Sequence, residues 1–430
     1  MKQSKDIDEL LAAGIIDSAT ADRITAYYTA KAGPPQNRLT IVFGILGAIL
    51  VGLGIVLILG NNWDALSNTV RTIIAFFPLV AGQVICGYTL VKKPESMVWR
   101  ESGAAFLILS IGACISLVSM IYNLPGSMES FLLTWCLLAL PVIYVMRSSA
   151  ASLLYLIGIT WYACEAGYWG NTTQEPYIYW GLFAMALPHY YLLFKNQSQS
   201  NFFTVHNWLI PLSVMICLGT VAADAEELLF AGYMCLFGFL YQVGHTPALD
   251  QQKIRNNGYL VFGSLGAVSI LLALSFDWYW NELRDGYAAG EINWHSPELI
   301  ATAFWFVAAL ILLMVNRRNK SWKSIKPAEL VFLLFIAIFF IGLTSSLAVI
   351  LINLLILMIG ILTIREGVAQ YHFGILNYGL LIITALIICR FFDTDINFIL
   401  KGAMFVAVGA GFFMANYRMA KKMKTSQPGA

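Results

Sequence analysis

The chain has 430 residues, 59% of them hydrophobic and only 12% charged, with a formal net charge of +2. Soluble domains carry roughly a quarter charged residues, so the polar material needed to coat two soluble cores is missing. The Lys and Arg residues are scattered over short connections without a stripe that would track phosphates, which excludes a nucleic-acid partner.

Residues 1–38 lack the apolar core and small-residue cleavage site of a signal peptide. They read as a cytoplasmic amphipathic segment: two short helices, 5–13 and 20–31, folded into a helical hairpin, with Gly14 ending the first and Asp17 or Ser18 capping the second. From there residues 39–416 form one transmembrane domain, and 417–430 are a basic cytoplasmic tail. Apolar segments of about bilayer length, roughly 20 residues at 1.5 Å each, fall at 40–60, 69–91, 103–121, 131–146, 151–167, 177–194, 207–223, 228–243, 258–276, 298–315, 328–343, 347–364, 373–390 and 396–415. The predicted fold is therefore all-α: a polytopic transmembrane helical bundle of about 14 spans with the short N-terminal hairpin attached. The positive-inside rule supports this threading. All but four of the 26 basic residues fall before the first span, in alternate connections or in the tail, the exceptions being Arg71, Arg284, Arg390 and Lys401. Both termini are then cytoplasmic.

Small residues recur at four-residue spacing in the first segment (Gly44, Ala48, Gly52) and the last (Ala403, Ala407, Gly411, Ala415), a pattern that lets helices approach closely inside a bundle. Phe43-Gly44-x-Leu46-Gly47-Ala48 is echoed by Phe262-Gly263-x-Leu265-Gly266-Ala267, each followed by a Trp at the far end, Trp63 and Trp278. An internal repeat of the kind found in transporters, or the chance convergence of Gly- and Leu-rich helices, accounts for that echo.

The connections on the far side are rich in carboxylates and tryptophans, including Asp64, Glu129, Glu227, Asp277, Glu298, Trp169, Trp278 and Trp280. Interfacial anchoring explains them; a vestibule for a cationic or sugar-like ligand is the functional alternative. Five residues stand out. Asp64 follows Asn61-Asn62-Trp63 and lies close enough to Arg71 to pair with it; its placement resembles the acidic residue some membrane glycosyltransferases carry in their first external loop. Glu165 lies within an apolar segment, where a carboxylate is expensive and is by default a functional hypothesis as a proton carrier. Arg284 and His295 sit in the longest far-side connection beside Asp285 and Glu291, suited to holding a phosphate or to acid–base work. His189, His206, His245 and His372 are dispersed without metal-ligand spacing, and the seven Cys occur singly. No metal and no cofactor is expected, and no P-loop, dinucleotide, G-x-S-x-G or H-E-x-x-H motif occurs.

The stretch Leu10-Leu11-x-x-Gly14-Ile15-Ile16, then Phe43-Gly44-Ile45-Leu46-Gly47-Ala48 and Gly60-Asn61-Asn62-Trp63, resembles the DUF2157 family of predicted membrane proteins over roughly residues 5–150. The resemblance implies a bacterial inner-membrane protein and supplies no catalytic residues. Three functions compete. A secondary transporter or flippase of a small or lipid-linked solute requires a continuous polar cavity with Glu165 in its wall. A lipid- or glycan-modifying enzyme, the less favoured class, requires a far-side cleft joining Asp64 to His295 or Arg284. A non-catalytic scaffold or sensor partner requires neither. The expected partners are membrane lipid, a small-molecule or lipid-linked substrate and a membrane-protein partner.

Overall fold

The computed structural model describes residues 11, 13–24, 63–169, 176–222, 226–247, 249–288, 295–318 and 327–391, with scattered positions between 399 and 417. The chain divides into two units, Met1–Ile74 and Ala75–Ala430.

In the first unit Gly14 takes φ +67° and its amide bonds the Leu11 carbonyl, 3.1 Å, a helix-ending geometry that glycine adopts without penalty. Helix resumes over 18–24, where the Asp17 carboxylate accepts the Thr20 amide at 3.1 Å. The Thr20 hydroxyl and amide hold that carboxyl below its usual range. These caps fall where the residues suggested. The hairpin does not: among the described residues there is a turn and one helix start, and most of the proposed partner helix, 5–13, lies outside them. The first predicted span, 40–60, with its Gly44 stripe and the first copy of the echo, also lies outside.

Helices α1 (Asn68–Lys92), α2 (Met97–Tyr122), α3 (Met128–Met146), α4 (Ser149–Gly167), α5 (Ile178–Gln197) and α6 (Asn201–Leu218, prolonged by a single 3-10 turn) are followed by α7 (Leu229–Gly244), α8 (Gly258–Ala273), α9 (Trp278–Ala288), α10 (Pro297–Arg317), α11 (Val331–Gly342), α12 (Leu347–Ala369) and α13 (Phe373–Phe391). Their starts obey local chemistry. The side chains of Ser127, Ser148, Ser200, Asn257 and Ser296 each accept an amide of the following first turn, satisfying one of the donors a helix leaves open. The interior forms two main apolar clusters, one centred on α2 to α7 and one on α7 to α13. Close approach joins α7 to its neighbours: a Cβ on Gly263 would stand 2.5 Å from the Tyr241 amide, and one on Gly238 2.7 Å from Phe332.

The architecture corrects the predicted span count. Seven helices, α1, α2, α3, α6 with its added turn, α10, α12 and α13, are long and apolar enough to cross a bilayer among the described residues, and the total reaches eight if α8 and α9 are one broken span. Fourteen is too many. The α8–α9 pair bends by 77°. With α7 at 16 residues and α11 at 12, these rods fall short of a hydrocarbon core about 30 Å thick. Ser149, Ser152, Thr160 and Glu165 dilute α4, and His189, Lys195 and Asn196 dilute α5, so neither qualifies despite its length. Of the last predicted span only scattered positions are described. There Ala403, Ala407 and Gly411 are exposed, and Ala415 lies outside the described residues.

Within the second unit, hydrogen bonds place the connections at two ends. Glu101 reaches the start of α4; Gln252 donates to the Ser198 carbonyl and Trp208 to that of Arg255. Asn316 donates to the Gln242 carbonyl and Gln242 to that of Glu329. This end gathers Arg100, Arg147, Lys195, Lys253, Arg255, Arg317 and Arg318. At the other end Tyr279 donates to the Glu227 carbonyl, Asn353 to that of Ser275, and Arg390 to the Ser275 hydroxyl.

Candidate functional site: a polar pocket at the basic end

The charged and polar side chains converge where α2, α3, α4 and α5 meet at the basic end. Glu101, on the second turn of α2, accepts the Ser149 amide at 3.1 Å, the Ala150 amide at 2.7 Å and the Ser148 hydroxyl at the start of α4. A carboxylate is stabilised there by the positive end of the helix dipole. Ser148 also caps α4, accepting the Ala151 amide at 3.2 Å. The start of α4 is thereby locked, and Ser149 is aimed at Nε2 of the buried His189, 3.3 Å away. His189 stands beside His206 of α6, ring centroids 6.2 Å apart. His206 Nδ1 faces the Phe202 carbonyl at 2.8 Å and its Nε2 faces the Ser152 hydroxyl at 3.1 Å. A carbonyl only accepts, so Nδ1 carries a proton; in the neutral ring Nε2 accepts from Ser152.

The polar contacts continue in two directions. Tyr190 stacks on His206 and donates to Asn207 Oδ1 at 2.7 Å, and Asn207 donates to the Asn256 carbonyl at 3.1 Å. Further along the same helices, Ser213 of α6 lies 2.6 Å from the Thr160 hydroxyl and 2.7 Å from that of Tyr179. Tyr168 then donates to the Ile216 carbonyl at the far end.

In front of His189 lies a cavity of about 470 Å³ lined by Arg100, Ile143, Tyr144, Arg147, Ser149, His189, Leu192, Leu193, Asn196 and Gln197. The Arg100 Nε is buried and makes no hydrogen bond. Arg147 ends α3 with φ +48°, the left-handed conformation more usual for Gly or Asn. Two apolar clefts lie elsewhere: one of about 520 Å³ between Tyr177, Trp180, Leu218, Pro297, Phe304 and Trp305, and one of about 350 Å³ lined by Trp161, Cys164, Trp169 and Ile216 among others.

Of the residues singled out from sequence, Glu165, Arg284 and His295 do not line this pocket. Glu165 is half-buried on the last turn of α4 and does not line any of these three cavities. Arg71 donates through Nε to the Trp63 carbonyl at 2.9 Å and lies 5.7 Å over that ring; the Asp64 side chain lies outside the described residues. Arg284 is turned to its own helix, bonding Asn281 and lying 3.8 Å from Asp277, with Nη1 buried and unbonded. His295 is exposed in the turn before α10. The far-side carboxylates do not all face water. Glu298 and Glu129 are buried in the first turns of α10 and α3, directly behind the serine caps, and Trp280 is buried with its indole donating to the Leu274 carbonyl at 2.8 Å.

Sequence reasoning passed over Glu101, His189 and His206. The available signal was the run Arg147-Ser148-Ser149-Ala150, a helix start needing an acceptor, with Glu101 a carboxylate on the same basic side. Among the described residues no group of three or more His, Cys, Asp or Glu is placed to hold a metal.

The helices and their buried polar interior define the class: a multi-pass, all-α membrane protein. Residues 8–152 match the family model described as Predicted membrane protein (DUF2157). Neither a curated protein nor a solved structure matches the chain.

Proposed function

We propose that this chain is an inner-membrane protein that moves a small or lipid-linked solute, as a secondary transporter or flippase, with the basic end and both termini in the cytoplasm. The observation that carries the reading is the polar pocket and its continuation. The cavity wall passes through Ser149 and His189 to the His206–Ser152 contact, and the Thr160–Ser213–Tyr179 cluster lies deeper along the same helices. Polar side chains at membrane depth are costly and mark pathways and proton relays. The segregation of basic side chains to one end supports its cytoplasmic placement.

Arg284 is engaged with Asp277 and Asn281 of its own segment, which gives the enzyme reading no support. The test is reconstitution of the full chain in proteoliposomes with an imposed pH gradient. It follows dithionite accessibility of a fluorescent phosphatidylglycerol and uptake of radiolabelled inorganic phosphate. Movement of either above protein-free vesicles, reduced in Ser149→Ala with His206→Ala, is expected. Rates equal to empty vesicles under gradients of both signs overturn the proposal and leave the scaffold alternative.

A further inference from the structure

The pocket's chemistry narrows the ligand, and this step rests on the reading just given. We infer that the cavity before His189 binds a phosphate-bearing anion, held by Arg100 and Arg147. Guanidinium groups from two different elements, one on the first turn of α2 and one at the end of α3, line the same space. Neither makes an ion pair among the described residues. Among the described residues no carboxylate lines the cavity, and Glu101, next to Arg100 in the chain, is already taken by the Ser148 hydroxyl and the Ser149 and Ala150 amides. Two cations against one anion leave the pocket with a net positive charge.

The Arg100 Nε is a buried donor with no acceptor among the described residues. Such a group is expensive to leave unmade, and an oxyanion in the cavity supplies the acceptor. Guanidinium matches phosphate in planar two-point contacts. Asn196, Gln197 and Ser149 add neutral donors around the same space. Ile143, Leu192 and Leu193 add apolar lining that suits the carbon skeleton of a phosphate ester. At about 470 Å³ the cavity lies in the range of small-ligand sites, roughly 300–1,000 Å³. The phosphate comes from a lipid headgroup or from free phosphate, and the chemistry at Arg100 and Arg147 is the same.

The test is binding by the purified full chain. Inorganic phosphate is titrated calorimetrically in a neutral detergent. In parallel, native mass spectrometry follows retention of phosphatidic acid from phosphatidylcholine nanodiscs. Arg100→Gln and Arg147→Gln should each weaken binding by about tenfold or more, the loss typical of a charge-assisted hydrogen bond. Lys253→Gln, at the same end but outside the cavity, should leave it unchanged, and Arg147→Lys should retain part of it. Helicity and elution volume verify folding. Binding of inorganic phosphate that both Gln variants weaken supports the site with a free-phosphate source, and retention of phosphatidic acid alone, equally sensitive, supports it with a headgroup source. No binding of either, or binding that Lys253→Gln reduces as much, overturns it. Sensitive binding without movement in proteoliposomes would sink the transport reading alone.

Discussion

The Arg317–Glu329 contact is the place where a single charge decides the stability of the basic end. Arg317 Nε donates to Glu329 Oε2 at 2.9 Å, and Nη2 meets both carboxylate oxygens. The side chains are only 5% and 6% exposed. The Glu329 carbonyl accepts from Gln242 at 3.2 Å, and the Gln242 carbonyl from Asn316 at 2.9 Å, so the contact ties together the ends of α7 and α10 and the turn entering α11. Glu329→Gln keeps the shape but leaves a guanidinium buried against a neutral amide. Removing one partner of a buried pair costs about 3–5 kcal/mol, or roughly two to three and a half orders of magnitude in the folding equilibrium at about 1.4 kcal/mol per tenfold. Arg317→Met combined with Glu329→Leu removes both charges and should recover most of that loss, because apolar replacement of a buried pair is often neutral. The assay is unfolding in mixed micelles of rising sodium dodecyl sulfate fraction, run as a double-mutant cycle. Single variants within about 1 kcal/mol of the parent would mean that the pair behaves as a solvated surface bridge. A double variant no better than the worse single would show that shape, not charge, holds this junction.

Three further outcomes follow from the same geometry. Glu101→Ala strips the start of α4 of its acceptor and should cost about 1.5–3 kcal/mol in the same unfolding assay; a loss below about 0.5 kcal/mol would mean water replaces the carboxylate freely. Gly263→Ala places a Cβ 2.5 Å from the Tyr241 amide and should destabilise by about 1–3 kcal/mol through forced separation of α7 and α8. Gly87→Ala, which would meet nothing within 4 Å, should instead gain up to about 1 kcal/mol of helix propensity, and equal effects of the two would refute the packing argument. Cysteines introduced at the exposed Gln251 and Asp285 test sidedness: a membrane-impermeant maleimide applied to intact cells should label Asp285→Cys alone. The native cysteines are buried apart from the half-buried Cys164 and Cys389, which keeps the background low. Equal labelling of both sites would break the cytoplasmic assignment of the basic end.

The turn at Gly14 and the cap at Asp17 were legible because both are local. Ser127, Ser148, Ser200, Asn257 and Ser296 cap the turns that follow them by the same chemistry, a signal that the apolar segments alone did not carry. The glycines of the echo at 262–267 also had a readable meaning. Gly263 and Gly266 let α8 press against Tyr241 and Phe237, so contact with α7 accounts for this copy without invoking duplication. Span number was not legible. Hydropathy reports apolar length but not whether a segment stays straight: 258–276 continues past Ala273 into a sharp bend, and α11 stops at Gly342, whose missing Cβ admits the Trp280 ring. The site was harder still. His189 and His206 belong to different helices, and only the packing of α5 against α6 sets them side by side. Glu129 and Glu298 read as loop carboxylates because the cap residues before them were not weighed, yet each falls in a first helical turn where the dipole favours a negative charge.

The two apolar clusters differ in how their polar groups are satisfied, and that difference bears on function. Around α7 to α13 the buried polar side chains mostly bond to backbone: Gln242 to the Glu329 carbonyl, Asn353 to those of Ser275 and Val349, Thr302 to that of Glu298, Thr384 to that of Leu380. The Gln242 bond and the Asn353 bond to Ser275 fix separate elements against one another, while those of Thr302, Thr384 and Asn353 to Val349 stay within one helix. Because a carbonyl only accepts, none of them can reverse. Between α4, α5 and α6 they are made side chain to side chain: Ser149 with His189, His206 with Ser152, Tyr190 with Asn207, and Ser213 with both Thr160 and Tyr179. Contacts of that kind are a minority in folded proteins, about 10–15% of hydrogen bonds. Hydroxyls both donate and accept, so the Ser149–His189 and Ser213–Tyr179 contacts can reverse direction, or open to a passing polar group, without unwinding a helix. Tyr190, by contrast, only donates to Asn207 Oδ1, and Ser152 only donates to His206 Nε2. A bundle built only to stand in the membrane would be served by the first arrangement throughout. The second is concentrated on α4 and α5, which line the arginine pocket, and on α6 packed against them.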